Sequence, residues 1–475
     1  MHDINVIRQQ PDWFKDQIKK LNDPGALQRI DTVLDLDQKR RTMLTESEAI
    51  QAERNRLNKA VGRLRGDRQL DEQTKTVRAA AAAEALRAGN YVDAVAIISG
   101  EQASPSESVE LDMGEAFDAL TDALRDVGDR VNTINEELRP IEQELEEHML
   151  WLPNLPHESV PVADSDEANV PWQPEGQLPE FDFEPKAHWD LGPALGIIDF
   201  ERGVKLAGSR AYVLRGWGAR LQRALEMLFL DMAREKGFEE VYVPFYVNRE
   251  MLVGAGQFPK FTDVVYYDAD ADVYMLPTAE VAITNLFRDE ILDEDDLPMY
   301  FVADTPCFRR ERAAAGRDTR GIKRVHQFQK VEMYKFTHPD TSYEELEALT
   351  EAAADVCRRL KLPFRRLEIV TGDLGFSATK KYDIEVWAAG SEEWLEVSSC
   401  SNTEAFQARR ANVRFRPKDK KKPEFVHTLN GSGLALPRVI AALIENNQQA
   451  DGSVLVPEAL RPYLGADVIR GRDDS

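Results

Sequence analysis

The chain has 475 residues, with 84 acids against 60 bases and a formal net charge of −24. That length suits two or three domains with a sizeable core. The charge excludes a generally basic nucleic-acid binder, because phosphate contact is driven largely by cations, so any RNA-binding surface must be a local patch on an acidic body.

The first predicted unit, residues 1–152, is a helical hairpin. In its returning helix Phe117, Leu120, Leu124, Val127, Val131, Ile134, Leu138, Ile141 and Leu145 alternate steps of three and four, a heptad seam. In the outgoing helix Leu36, Met43, Ile50, Leu57 and Leu64 recur every seven, but Arg40, Ser47 and Arg54 occupy the other seam position. An arm of roughly 50 Å follows from the 1.5 Å rise per residue. Taken alone, such a pair reads as a scaffold or dimerisation element. Residues 66–112 interrupt the hairpin at its tip. The alanine run Ala79 to Ala83 favours helix there, and Tyr91, Val95, Ile97 and Ile98 can pack it down.

Residues 153–185 are rich in proline and acid and cannot sustain a helix or a central strand. From residue 186 the pattern is mixed α and β. An amphipathic helix (Leu221, Leu225, Leu228, Met232) ends at Gly237, and a strand holding Pro244 follows. Next come the Thr278-Ala279-Glu280 triplet and then TPCFRRE, a basic loop and VHQFQKVEMYKF. The second arm of this hairpin alternates, with Phe328, Lys330 and Glu332 sharing one face. Arg312, Arg317, Arg320, Lys323 and Arg324 crowd the loop against one acid, Asp318, which suits a polyanion because guanidinium forks hold phosphate oxygens in pairs. YDIEVW and WLEVSS alternate as adjacent antiparallel strands. HTLNGSGLALPRVIAALIENNQQ closes the pattern, and its glycines allow close backbone approach to a ligand.

These strings carry a resemblance. The AGRDTRG…RVHQFQKVE stretch resembles motif 2 of the class II aminoacyl-tRNA synthetases, and specifically that of the seryl-tRNA synthetases; Arg312 and Ala313 to Ala315 depart from the usual loop. Residues 217–247 resemble motif 1, the dimer-forming part, and the last segment resembles motif 3. The fold implied is α+β, an antiparallel sheet flanked by helices behind an N-terminal coiled-coil arm. The resemblance implies serine binding by Thr278, Ala279, Glu280, Glu332 and Ser432. It implies ATP binding by Arg309 (α-phosphate), Arg310, Glu311 (adenine amino group), Val325, Phe328 (ring stacking), Glu396, Val397, Ser398, Ser399 and Arg438 (γ-phosphate). Glu396 and Ser399, expected on one strand face beside the nucleotide, would be suitable hard oxygen ligands for the Mg²⁺ that accompanies ATP; Gln407, Arg409 and Arg410 would frame the site.

The family's partners are L-serine, tRNA(Ser), where one exists tRNA(Sec), and a second copy of the chain. By position, Arg54, Arg56, Lys59, Arg63 and Arg65 on the arm, with Arg317 and Arg320, would meet tRNA. Two rival readings keep the three motifs. A ligase charging a carrier protein should lack the arm, and a dead binding paralogue should have lost Arg309, Glu332, Glu396 or Arg438. Cys307, Cys357 and Cys400 are scattered, so neither a disulfide framework nor zinc is expected. No signal peptide or long apolar run appears, which points to the cytoplasm and no membrane. Only 20 of the 60 bases are lysine. As a hypothesis, this reflects life in high salt, where self-repulsion is screened; a protein most stable at low salt on a KCl series would sink it.

Overall fold

The computed structural model describes residues 1–104, 110–312 and 320–471. Eight strands form the central sheet: β1 (Val170–Pro171), β2 (Glu239–Glu240), β3 (Met299–Phe308), β4 (Gln327–Thr337), β5 (Phe364–Glu368), β6 (Lys380–Ala388), β7 (Glu393–Asn402) and β8 (His427–Ala435). Their order is β1-β5-β6-β7-β8-β4-β3-β2, and every pairing is antiparallel except β2 with β3. The helices used below are α1 (Pro24–Gly66), α2 (Glu72–Arg87), α3 (Tyr91–Ser99), α4 (Met113–Leu150), α5 (His188–Ala194), α6 (Trp217–Glu235), α7 (Glu280–Thr284), α8 (Ser342–Arg359), α9 (Phe406–Ala411) and α10 (Leu436–Asn446).

Period-2 alternation sorts the strand residues. Val331 and Met333 of β4, Ile384 and Val386 of β6, and Leu395 and Cys400 of β7 join one core with α6, α8 and α10. The residues between them are left for the opposite face. Gly431 and Gly433 serve this packing. A Cβ at Gly431 would press on Leu349 of α8 and Cys400, and one at Gly433 on Val331. The sequence reading gave these glycines to a ligand; they admit protein instead. The cysteines are free and buried in the core.

Two units emerge, 28–149 and the remainder. The predicted 1–152 unit is therefore shortened at its start, because Met1–Leu27 fold with 150–475. Ile7, Phe14 and Ile18 are buried there, and the His2 ring packs edge-on to Phe14 and Phe406. The proline-rich stretch runs along the same unit. Asn154 donates to the Ser377 and Thr403 carbonyls at 2.8 Å each. β1 pairs at the sheet edge, where a proline breaks no ladder. The expected strand around Pro244 is also revised. β2 stops at Glu240 and a second short strand, Tyr246–Val247, pairs elsewhere, since proline has no N–H for a ladder.

In the other unit α1 has 43 residues, roughly 60 Å of helix and longer than the hairpin spacing predicts. The polar seam residues meet counterparts at seven-residue steps. Arg40 Nε donates to Glu142 at 3.0 Å and Ser47 Oγ to Asn135 at 3.1 Å. The Arg54 guanidinium lies against Gly128, where a Cβ would stand 2.9 Å from it. Each step forward on α1 is matched by one back on α4, the register of an antiparallel pair. α2 and α3 cap the tip, with Ala79 to Ala83, Ile97 and Ile98 buried in the arm's own core. Among the described residues no helix is long and apolar enough to cross a membrane.

Candidate active site

On the sheet face opposite Val331 and Met333, reached by the first turn of α10, lies a cavity of about 590 Å³. Stretches scattered between residues 257 and 438 converge on it, Gln257, Phe261 and Val264 forming part of its wall. The others are Thr278 and Glu280 at α7, Arg309 and Glu311 after β3, the 322–325 segment, Phe328, Lys330 and Glu332 of β4, Glu396 to Ser399 of β7, and Asn430, Ser432 and Arg438 around β8 and α10.

At one end three charged groups are buried together. Glu332 is 1% exposed, and its Oε2 lies 2.5 Å from Lys330 Nζ and accepts from Ser432 Oγ at 3.4 Å. Its Oε1 is buried without a partner. Lys330 also donates to Thr278 Oγ1 at 2.8 Å. Glu280 accepts from Gln407 Nε2 at 2.6 Å. Burial, reinforced by the Glu332 charge, pushes the Glu280 carboxyl up to about 7 against the opposing pull of Lys330, Gln407 and Arg309. Gln407 is itself held, its Oε1 accepting from Tyr334 and Thr428 at 2.9 and 2.8 Å. A buried carboxylate oxygen left unsatisfied is costly, and here it borders a cavity. The pocket is suited to a small ligand carrying a hydroxyl and an ammonium group.

Toward the other end the side chains are cationic and aromatic. The Arg309 guanidinium lies 5.3 Å over the Phe328 ring, and its Nε donates to the Pro277 carbonyl at 3.2 Å. Glu311 takes left-handed backbone (φ 49°), uncommon outside glycine, and stands 3.8 Å from Arg324. Arg438 donates to the carbonyls of Lys323 at 3.2 Å and Glu396 at 2.6 Å.

Glu396 and Ser399 are three apart, an odd step that places strand residues on opposite faces. Here a register shift leaves Val397 unpaired, so Glu396 and Ser399 pair with Glu385 and Asp383 and share their face. Burial pushes the Asp383 carboxyl up, with Glu396 adding to it, and Asp383 Oδ1 is buried without a partner. Glu396, Ser399 and Asp383 are hard oxygen donors that fit Mg²⁺. Among the described residues no group of three His, Cys, Asp or Glu could hold a metal, so such an ion would need ligand oxygens as well.

Residues 1–88 match the seryl-tRNA synthetase N-terminal domain, and residues 263–447 match the class II tRNA synthetase core domain of the G, H, P, S and T types. A serine–tRNA ligase of Roseiflexus sp. (strain RS-1) is 50% identical over 472 residues, 99% of this chain and 100% of its own. The chain belongs to the seryl-tRNA synthetase family, the serine–tRNA ligases of class II. The relative from Chloroflexus aurantiacus (strain ATCC 29366 / DSM 635 / J-10-fl) is 48% identical over 465 residues, 98% of each chain. The structure of the Pyrococcus horikoshii seryl-tRNA synthetase complexed with ATP aligns with TM-score 0.84 at 34% identity, covering 99% of this chain and 100% of that one. The cytoplasmic serine–tRNA ligase from Naegleria fowleri in complex with AMP gives 0.79 at 26% identity over 99% of both.

Of the residues assigned by the family resemblance, Thr278, Glu280, Glu332, Ser432, Arg309, Glu311, Val325, Phe328, Glu396, Val397, Ser398, Ser399 and Arg438 line the cavity. Ala279 does not; it is fully buried in a separate core with Phe301 and Phe336. Arg310 turns away, its guanidinium 5.3 Å from the Tyr266 ring. Arg409 rests on Phe425 at 4.6 Å. Arg410 donates to the Phe258 and Leu150 carbonyls at 2.9 and 2.8 Å, a packing role. Arg320 is exposed and Arg317 lies outside the described residues.

On the arm, Arg54 is committed to Gly128, Arg56 pairs with Glu53 at 2.7 Å, and Arg65 lies 4.9 Å over the Phe117 ring. Lys59 and Arg63 are exposed. Lys330 and Asn430 enter the site without having been assigned to it. Lys330 had a signal, its place between Phe328 and Glu332 on one strand face; Asn430 had none beyond its neighbour Ser432.

Proposed function

We propose that the cavity activates L-serine with ATP, giving seryl-adenylate and pyrophosphate, and that serine then passes to the 3′-terminal ribose of tRNA(Ser), and of tRNA(Sec) where one exists. The observation that carries this reading is the buried, unpartnered Glu332 Oε1 beside Glu280 and Lys330. It accepts the serine hydroxyl, a choice that penalises alanine by leaving the carboxylate unpaired; threonine is refused by size. Thr278 and Glu280 hold the ammonium group, and Ser432 adds a hydroxyl contact.

Phe328 stacks on the adenine, Glu311 accepts from its amino group, and the Val325 backbone meets the nucleotide. Arg309 holds the α-phosphate, where charge grows as the serine carboxylate attacks, and a preorganised cation there lowers the barrier. Arg438 holds the γ-phosphate. Mg²⁺, when bound through Glu396 and Ser399, supplies neutralisation of the triphosphate and its leaving pyrophosphate.

Residues 28–149 form the tRNA-reading arm, with Lys59 and Arg63 meeting backbone phosphate and shape rather than sequence being read. The chain acts as a homodimer. Exposed apolar residues on α6 and near it in sequence, among them Leu206 at 77%, Met227 at 55% and Tyr242 at 87%, support an interface, since apolar surface left in water favours association. The deciding experiment is serine-dependent ATP–pyrophosphate exchange with alanine and threonine as controls. Exchange with serine alone is expected; none at any salt, in folded protein, overturns the reading.

A further inference from the structure

His188 lies outside the cavity and carries none of the roles assigned above, yet it is completely buried against Glu445, with both side chains at 0% exposure. The Glu445 carboxylate is saturated. Its Oε1 accepts from His188 N at 2.9 Å and from Nδ1 at 2.6 Å, and its Oε2 accepts from Ser391 N at 2.9 Å and Ser391 Oγ at 3.0 Å. On the other edge of the ring, Nε2 accepts the backbone N–H of Ile322 at 3.1 Å. An acceptor at Nε2 puts the ring proton on Nδ1, where Glu445 takes it, so the carboxylate fixes the tautomer that the loop requires. The approach is close. Gly321 has φ +73°, and a Cβ there would collide with Nε2.

Ile322 and Lys323 line the cavity. The Lys323 carbonyl accepts from Arg438 Nε, and Arg438 stands seven residues, two turns, before Glu445 on α10. The contacts therefore close a circuit from Arg438 along α10 to Glu445, then His188, Ile322, the Lys323 carbonyl and back to Arg438. Any shift of 321–323 off the imidazole moves the carbonyl on which Arg438 leans.

We infer that His188, oriented by Glu445, is a positioning residue for nucleotide binding, clamping the 321–323 backbone that aligns Arg438. The inference rests on reading the cavity as the ATP site. Wild-type exchange with serine tests that reading by itself, before any variant is made.

The test compares His188→Asn with His188→Gln in pyrophosphate exchange, with ATP and serine varied separately. Asparagine can reach Glu445 but not Ile322, whereas glutamine carries an acceptor to the Nε2 position. His188→Asn is expected to raise the KM for ATP about tenfold, the worth of one well-placed hydrogen bond, with the KM for serine within about twofold. His188→Gln should recover most of that loss. Gly321→Ala, which pushes the segment off the ring from the other side, should reproduce the ATP effect and keeps the test open if His188→Asn does not fold. Equal KM values for ATP in the asparagine and glutamine variants, or a rise shared equally by serine, would overturn the inference.

Discussion

The cavity and the arm treat buried polar groups in opposite ways. In the arm each polar seam residue is met from the facing helix: Arg40 by Glu142, Ser47 by Asn135, Arg54 by the space above Gly128. In the cavity Glu332 Oε1 is buried with no partner. Satisfied polar groups specify a register, while unsatisfied ones store a demand that a ligand can meet. The first arrangement builds a rod, and the second builds a site.

Glu332→Gln tests the site most directly. It removes the carboxylate that serine needs and leaves Lys330 buried beside a neutral amide. Serine-dependent exchange should fall by about 10⁴-fold in kcat/KM, the low end of the range for sites that recognise a hydroxyl. A loss under tenfold would mean that the orphaned oxygen is not the serine acceptor.

Leu120→Ala tests the arm. Leu120 of α4 is fully buried in the arm's core, and the cavity left behind should cost about 3 kcal/mol on thermal or urea unfolding. Exchange, which needs no tRNA, should persist while tRNA charging falls. Loss of exchange would show that the two regions are not separable in function.

The Glu280 carboxyl gives the comparison a pH axis. Its folded value of about 7 stands above the ordinary 4.5, so its stability contribution is full below about 4.5 and is lost as pH rises through about 7. Unfolding followed from acid to neutral pH should show that decline, and Glu280→Gln should flatten it. The ionised form is the one that holds an ammonium group, so the KM for serine should fall over the same rise in pH.

The smallest effect belongs to the Arg40–Glu142 pair, with side chains 34% and 43% exposed. A double-mutant cycle should return about 0.5 kcal/mol, shrinking with salt. A much larger coupling would make this pair a determinant of the arm's register.

Local pattern determined a good deal here. Heptads along 117–145 specified the arm's apolar face, because a helix brings residues three and four apart together wherever it lies. Alternation along β4 put Phe328, Lys330 and Glu332 on one face for the same kind of reason, and the motif strings named most of the cavity lining. Tertiary structure alone decided the rest. Glu396 and Ser399 share a face only because Val397 drops out of the ladder with β6. Ala279 and Arg310 adjoin lining residues yet point elsewhere. Residues 1–27 leave the arm for the other unit. His188 comes to Ile322 across more than 130 positions of chain. Spacing is local information, whereas a bulge, a register or a long-range hydrogen bond is settled only when the partner strand or loop is in place.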